Sequence, residues 1–429
     1  MKFTRVFAFM ALAGLAGSAY ATNGYFSHGY GMKAKGMGGA ATATHDDAFF
    51  GANNPAAAAF AGNRLDLGMD LFSPRREASR TGGDGGAFFV NNATSDSNSN
   101  YFLVPELGYN RMVNNNLALG VTVYGNGGMN SDYSEVAPGV NLLGGAGSLG
   151  VDLMQLIVAP TAAYKVNANH SIGISPLLGY QRFKAEGLQA FALISTDPTG
   201  ATVTNAGYDD SFGYGVRVGY MGKITPTVTI GAAYASKMNF EEFDKYAGLF
   251  AEAGDFDIPE NYNLGVAWQA TPAVKLALDY QRINYSGVNS VSNPSTNFFP
   301  CFGGDPTNGC LGLSNGAGFG WSDIDVWKLG VEYKYSNNLT LRGGWNHGEN
   351  PISPRDVEFN IIAPGVIENH LTLGLTYTTA SGGELTMAYM HGFKNDVSGP
   401  SYFFDSTGAP VDKIEMYQNA IGIQYSWKM

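Results

Sequence analysis

The chain has 429 residues, 14% of them charged, a net charge of −11, 58 glycines, 24 tyrosines and 26 phenylalanines. The acidic balance argues against nucleic-acid binding, and no stretch reaches the roughly 20 continuous apolar residues of a membrane helix. A mean hydropathy of −0.09 does not exclude a lipid-embedded barrel, whose outward apolar and inward polar residues cancel in the average.

Residues 1–21 read as a targeting segment. Lys2 and Arg5 make a basic start, Val6 to Leu15 an apolar core too short to span, and Ala19-Tyr20-Ala21 a small-x-small cleavage site. Cleavage there starts the mature chain at Thr22, outside the cytoplasm. Residues 22–63 do not alternate; they are rich in Gly and Ala, with Tyr, Phe and Met among them. A disordered tail would be poorer in such residues. The segment is expected to be compact and buried inside a barrel, as a plug.

Residues 64–429 parse into fourteen segments with apolar residues at every second position. They are 64–73, 100–110, 117–124, 151–165, 171–184, 211–221, 228–236, 261–269, 274–285, 325–335, 339–346, 369–378, 384–392 and 415–428. In 261–268, Tyr262, Leu264, Val266 and Trp268 share one face, with Gly265 and Ala267 on the other. Leu371, Leu373, Leu375 and Tyr377 repeat the rule, as do Ile421, Ile423, Tyr425 and Trp427. Period two means strands. An apolar face ending in a ring beside a small or polar face is the mark of a membrane barrel strand with an aromatic girdle. Short connections made of turn formers alternate with long ones, the expected asymmetry between periplasmic turns and outer loops. The prediction is an all-β, 14-stranded antiparallel transmembrane β-barrel in the bacterial outer membrane.

Two long loops carry apolar residues that water-facing loops do not need. One is 188–194. In the other, Phe240, Phe243, Tyr246, Ala247, Phe250 and Ala251 recur at helical spacing. They are open to two readings, packing over the barrel mouth or a ligand-binding surface. Cys301 and Cys310 are the only cysteines. In an oxidising compartment they are expected to form a disulfide, with two free thiols as the alternative.

The ordered set Gly29-x-Gly31, Lys35-Gly36-Met37-Gly38-Gly39-Ala40, Asp46-Asp47-Ala48, Asn54-Pro55-Ala56, Tyr180-Gln181-Arg182-Phe183-Lys184, Ile258-Pro259-Glu260 and Tyr389-Met390-His391-Gly392 resembles the long-chain fatty-acid transporter (FadL) family. The resemblance implies a monomeric barrel with an N-terminal hatch that carries Asn54, Pro55 and Ala56. It implies passive uptake of hydrophobic compounds, fatty acids or aromatic hydrocarbons, by loop capture, lumenal binding and lateral release. It points to Arg182, with Lys184, as a carboxylate site, the alternative being rim cations that pair with lipopolysaccharide or loop acids; Phe243, Tyr246 and Phe250 of the apolar loop are the candidate rings for a ligand. It also implies a lateral opening at a kinked third strand, where this chain has Gly125, Gly127 and Gly128. Ser322 stands where a second cationic ligand residue of that transporter would align, so uncharged ligands remain open. Expected partners are a hydrophobic small molecule, membrane lipid and lipopolysaccharide.

No catalytic or cofactor motif competes with this reading. The six histidines have no metal-ligand spacing, no Gly-x-Ser-x-Gly is present, and Gly36-Met-Gly-Gly lacks the strand and Gly-Lys-Ser/Thr of a phosphate loop. The expectation is no enzyme, no cofactor and no metal. The alternatives are a general porin or adhesive barrel and, less favoured, a barrel lipid hydrolase.

Overall fold

The structure, a computed structural model, describes residues 22–82, 92–402 and 410–429; the expected targeting segment lies outside them. Fourteen strands form the wall: β1 Arg64–Thr81, β2 Phe102–Met112, β3 Leu117–Asn130, β4 Gly150–Lys165, β5 His170–Glu186, β6 Asp209–Lys223, β7 Val228–Ala235, β8 Asn261–Thr271, β9 Val274–Ile283, β10 Ile324–Lys334, β11 Leu339–Gly348, β12 Asn369–Thr378, β13 Glu384–Pro400 and β14 Val411–Lys428. Each pairs antiparallel with its chain neighbour, and β1 pairs with β14 from Arg64↔Lys428 to Thr81↔Val411, closing the barrel. A short strand Ala93–Asp96 extends the upper end of β1, and Asn239–Phe240 pairs with β6.

The alternation has the expected phase. On β5, Ile172, Ile174 and Leu178 are exposed while Ser171, Ser175 and Gln181 are buried. Leu264, Leu373 and Ile423 face outward, Thr372 inward. Exposed rings at Tyr164, Trp268, Tyr333, Tyr377 and Trp427 mark the lower ends of the descending strands. The tight turns close through their own side chains. Asn114 Oδ1 accepts the amides of Asn116 and Leu117 at 2.9 Å each, and Asn167 Oδ1 does the same for Asn169 and His170. These Asn side chains replace the strand partner the reversing backbone lacks.

The strands outrun the hydrophobic pattern. β1 continues to Thr81, and β13 and β14 extend to Pro400 and from Val411 as one hairpin. Stretches expected to be loop are therefore partly strand. Backbone pairing does not require apolar side chains, and above the lipid the extension carries outward ion pairs, Lys413 with Glu415 at 2.9 Å and Lys394 with Glu415. The expected helix at 240–251 is also corrected. Phe240 pairs with Gly213, a single 3-10 turn covers Asp244–Tyr246, and the Ala251–Gly254 turn is broken at Glu252 and Ala253, with φ of 56° and 61°. Left-handed backbone at two successive non-glycine residues cannot continue a right-handed helix.

Residues 22–63 lie inside the ring of strands. Their polar contacts reach every side of it. Lys35 Nζ bonds Asp70 of β1 at 3.1 Å and Glu106 of β2 at 2.6 Å. Asp279 of β9 accepts the amides of Ala41 and Thr42 at 2.8 Å each. Thr372 of β12 accepts Gly38 N–H at 2.8 Å, and Glu384 of β13 meets Lys33 at 2.6 Å. Gln424 of β14 accepts Met32 N–H at 2.9 Å. The inner wall is made of small residues where this backbone approaches; a Cβ on Gly344 would strike the Met37–Gly38 peptide.

Candidate functional site

The interior has a polar lower half and an aromatic upper half. The upper half begins in the outer loops. Phe299 and Phe302 are exposed beside Cys301, which is bonded to Cys310 with a Cα separation of 5.0 Å. Buried Phe298 lies 4.7 Å from Phe299, and Phe359 stacks on Phe191 at 4.9 Å. Below them a cavity of about 30 Å³ is lined by Phe183, Phe191, Phe250, Phe319 and Phe359 among others. The rings then continue inward. Phe250 meets Phe256 at 4.9 Å, Phe256 meets Tyr25 of the lumenal segment at 6.1 Å, and Tyr25 meets Tyr285 at 5.4 Å and Trp321 at 5.8 Å. These tilted and edge-on contacts pack ring on ring, while the polar ends of Tyr285 and Trp321 donate to Asn23 O and Asn360 Oδ1 at 2.6 Å each.

Phe243, Tyr246 and Phe250 come together around Phe183, at 5.7, 4.8 and 4.8 Å. Tyr246 Oη donates to Gly207 O at 2.7 Å and accepts Ala185 N–H at 3.0 Å, so its polar end is tied to the wall while its ring faces the cluster. In the same loop, burial beside Asp257 pushes the Asp255 carboxyl up to about 7.

Arg182 and Lys184 are elsewhere. Gln181 and Phe183 point inward, so the alternation turns Arg182 and Lys184 outward. Arg182 lies 4.5 Å over the Tyr208 ring, and Lys184 pairs with Glu186 at 3.1 Å. The expectation that they meet a lumenal carboxylate is corrected: they are cations of the outer rim. The phase of Ile172, Ile174 and Leu178 already carried this signal.

Asn54-Pro55-Ala56 is a local joint. Asn54 Oδ1 accepts Ala56 N–H at 3.1 Å, capping the 3-10 turn Pro55–Ala57, while Nδ2 donates to Thr42 O at 2.8 Å and to Tyr220 O of β6 at 2.9 Å. One side chain thus ties two turns of the lumenal segment to the wall.

The wall itself has a discontinuity. β2 and β3 pair only from Met112↔Ala118 to Leu107↔Val123. Above this, Phe102–Glu106 pairs with β1 and Tyr124–Asn130 with β4, and no ladder joins the two edges. The third strand does not end at Tyr124, as its glycines suggested. It runs to Asn130 through an irregularity between Gly125 and Gly127. Glycine gives that stretch the freedom to bulge. The top of the opening is closed by Asn98 N–H on Asp132 O at 2.8 Å and by the Ser97↔Tyr133 bridge. The result is a framed window, on the order of 20 Å along β3 at about 3.3 Å per residue.

The lumenal segment occupies the inner side of the window. Phe26 bridges Gly127, Ser27 N–H donates to Asn126 O at 3.2 Å, Tyr30 Oη donates to the same oxygen at 3.2 Å, and the Tyr30 ring meets Tyr124 at 4.8 Å. A Cβ on Gly127 would fall on the Tyr25 carbonyl. Among the described residues, no group of three or more His, Cys, Asp or Glu is placed to hold a metal ion.

Comparison with known proteins follows the same architecture. The model of the outer membrane protein transport family (OMPP1/FadL/TodX) matches residues 10–424. The chain belongs to this family. That membership and the barrel place this OMPP1/FadL/TodX protein in the bacterial outer membrane. Similar solved folds include a Pseudomonas aeruginosa FadL homologue, with TM-score 0.69 and 15% identity over 94% of this chain and 99% of that one. The Pseudomonas putida toluene transporter TodX gives TM-score 0.67 and 19% identity over 95% and 100%. The Ralstonia pickettii toluene transporter TbuX gives 0.63 and 19% over 94% and 99%. No curated protein sequence matches the chain significantly.

The aromatic path was only partly legible beforehand. Phe191 and Phe250 lay in loops singled out for excess apolar residues. Phe256, Trp321 and Phe359 carried no periodicity, and Tyr285, expected at the end of a strand, sits in a 3-10 turn beyond it; they meet only because separate loops converge over the mouth.

Proposed function

We propose that this outer-membrane transport protein is a passive channel for hydrophobic compounds, with residues 22–63 as its plug and the β2–β3 window as its lateral exit. The observation that carries the reading is the succession of rings from exposed Phe299 and Phe302, across the small cavity lined by Phe183, Phe191, Phe250 and Phe359, to Tyr25 beside Phe26 on the edge of β3. An apolar molecule captured by the loops never has to cross the charged lower lumen. It moves from ring to ring and leaves sideways into lipid.

The cavity among the rings, about 30 Å³, is far below the roughly 300 Å³ of a small-molecule pocket. Binding therefore requires the rings to part, and the described state is the closed one. At the window the closing residues are Tyr25, Phe26 and Tyr30, so exit requires the plug to release Asn126 and Gly127. Gly125, Gly127 and Gly128 supply the backbone freedom for that movement. The driving force is the ligand gradient. The toluene named for TodX and TbuX supports an apolar ligand class for this chain as well.

Uptake into vesicles bearing the purified protein, with toluene, a long-chain acid and a hydrophilic sugar as solutes, tests this. Uptake of an apolar solute with exclusion of the sugar is expected. Equal passage of the sugar would overturn it in favour of an open porin.

A further inference from the structure

Behind Phe26 and Tyr30 a small polar cavity lies between residues 22–63 and strands β6, β8, β9 and β10. Its volume is about 10 Å³, the room of one water-sized group. Two cations of the wall line it, Arg217 of β6 and Lys328 of β10. They are 4% and 7% exposed, and among the described residues neither takes part in an ion pair. Arg217 is tied on one side only: Nη1 donates to the main-chain oxygens of Ala52 and Asn53, and Nε has no partner. The Lys328 ammonium makes no hydrogen bond among the described residues. Asn263 and Gln281, opposite each other on β8 and β9, line the same space, and their amide ends make none either. The carboxylate next to Lys328 in the wall is Asp279, its partner in the β9–β10 register. Asp279 does not line the cavity. Its Oδ2 is taken by the amides of Ala41 and Thr42 at 2.8 Å each, and its Oδ1 has no hydrogen bond.

Two cations and one carboxylate leave one positive charge in excess. Like charges repel strongly in a buried setting, and a buried charge without a counter-ion is costly. A water molecule supplies no counter-charge. A monatomic anion supplies one, suits so small a space, and accepts from the guanidinium, the ammonium and the two amides together. We propose that this cavity is a chloride site between Arg217 and Lys328. A carboxylate with an apolar tail does not fit a space of this size, so the ion is a structural ligand and not a transported one. It joins the wall to residues 22–63, because Arg217 also holds Ala52 and Asn53, and Gly39 and Thr42 line the cavity from the lumenal side. Chloride therefore stabilises the seating of that segment in the barrel.

The test uses the whole protein in lipid vesicles. Urea unfolding is followed in sodium chloride and in sodium gluconate at equal ionic strength, gluconate being too large for the cavity. Saturating chloride is expected to raise the wild-type midpoint by about 1 M urea. Lys328→Met removes the surplus charge and is expected to unfold at the same midpoint in both salts. Crystals of the wild type grown in sodium bromide are expected to show one anomalous peak between Arg217 and Lys328. Equal wild-type midpoints in the two salts would overturn the proposal, as would a chloride dependence that survives in Lys328→Met and so belongs to another site. If Lys328→Met does not fold, the bromide crystals decide: no peak at the cavity overturns the proposal, and a peak there supports it.

Discussion

The wall at β11–β13 and the wall at β2–β3 are built from the same alternation but spend their backbone hydrogen bonds differently. β12 pairs along its length with both neighbours, from Leu339↔Tyr377 to His347↔Asn369 on one side and from His370↔Gly392 to Thr378↔Glu384 on the other. β3 pairs with β2 only over its lower half, and the bonds of its upper half go partly to residues 22–63. A continuous ladder makes a wall that needs no lumenal support. An interrupted one makes a window whose closure depends on what stands inside it.

The largest expected effect breaks that support. Lys35→Met leaves the carboxylates of Asp70 and Glu106 buried at the window side without their cation, which should cost about 3–5 kcal/mol. Lys33→Met should cost clearly less, since Glu384 keeps Lys428 at 2.5 Å. Urea unfolding of both variants in lipid vesicles checks the difference; equal losses would contradict it.

Next is the continuous wall. Leu373→Arg places a charge on the lipid face of β12 and should cost roughly 2–4 kcal/mol near mid-bilayer. The same unfolding measurement reads it, and a neutral result would mean that the face is wrongly assigned.

One substitution made in both walls sharpens the contrast. At Gly343 an added Cβ meets nothing closer than Thr372 O at 3.9 Å, and Gly343→Val should be neutral or slightly stabilising. At Gly127 it meets the Tyr25 carbonyl, and overpacking should cost about 1–3 kcal/mol. It should also displace Phe26 from the window, which sugar leakage into vesicles would reveal.

The smallest effect lies in the loop over the aromatic path. The Asp255 carboxyl, raised to about 7, is more readily protonated in the packed loop than in an open one. Its packing is therefore firmest in acid and weakens as pH rises from about 4 through 7. Hydrogen exchange of the 250–258 amides, corrected for the intrinsic rate, should increase over that range, and Asp255→Asn should flatten the profile.

Much of this was legible in particular residues. Leu264, Leu373 and Ile423 announced their lipid face, and Asn114 and Asn167 their turns. The alternation through Ile174 and Leu178 also indicated that Arg182 faces outward, but its motif resemblance pointed inward, and the phase was the better guide. The helix expected at 240–251 failed because its rings serve a cluster gathered around Phe183 rather than one face of one element.

The sequence alone determined the strands, their facing and their tight turns, because a period of two and an Asx turn are written within a few neighbouring residues. Only the tertiary structure decided where residues 22–63 lie, which buried charges are paired and where the wall stays open. Those outcomes depend on partners far apart in the chain, such as Lys33 with Glu384 and Phe26 with Gly127. Local periodicity carries no information about such pairs, since closing the barrel is what brings them together.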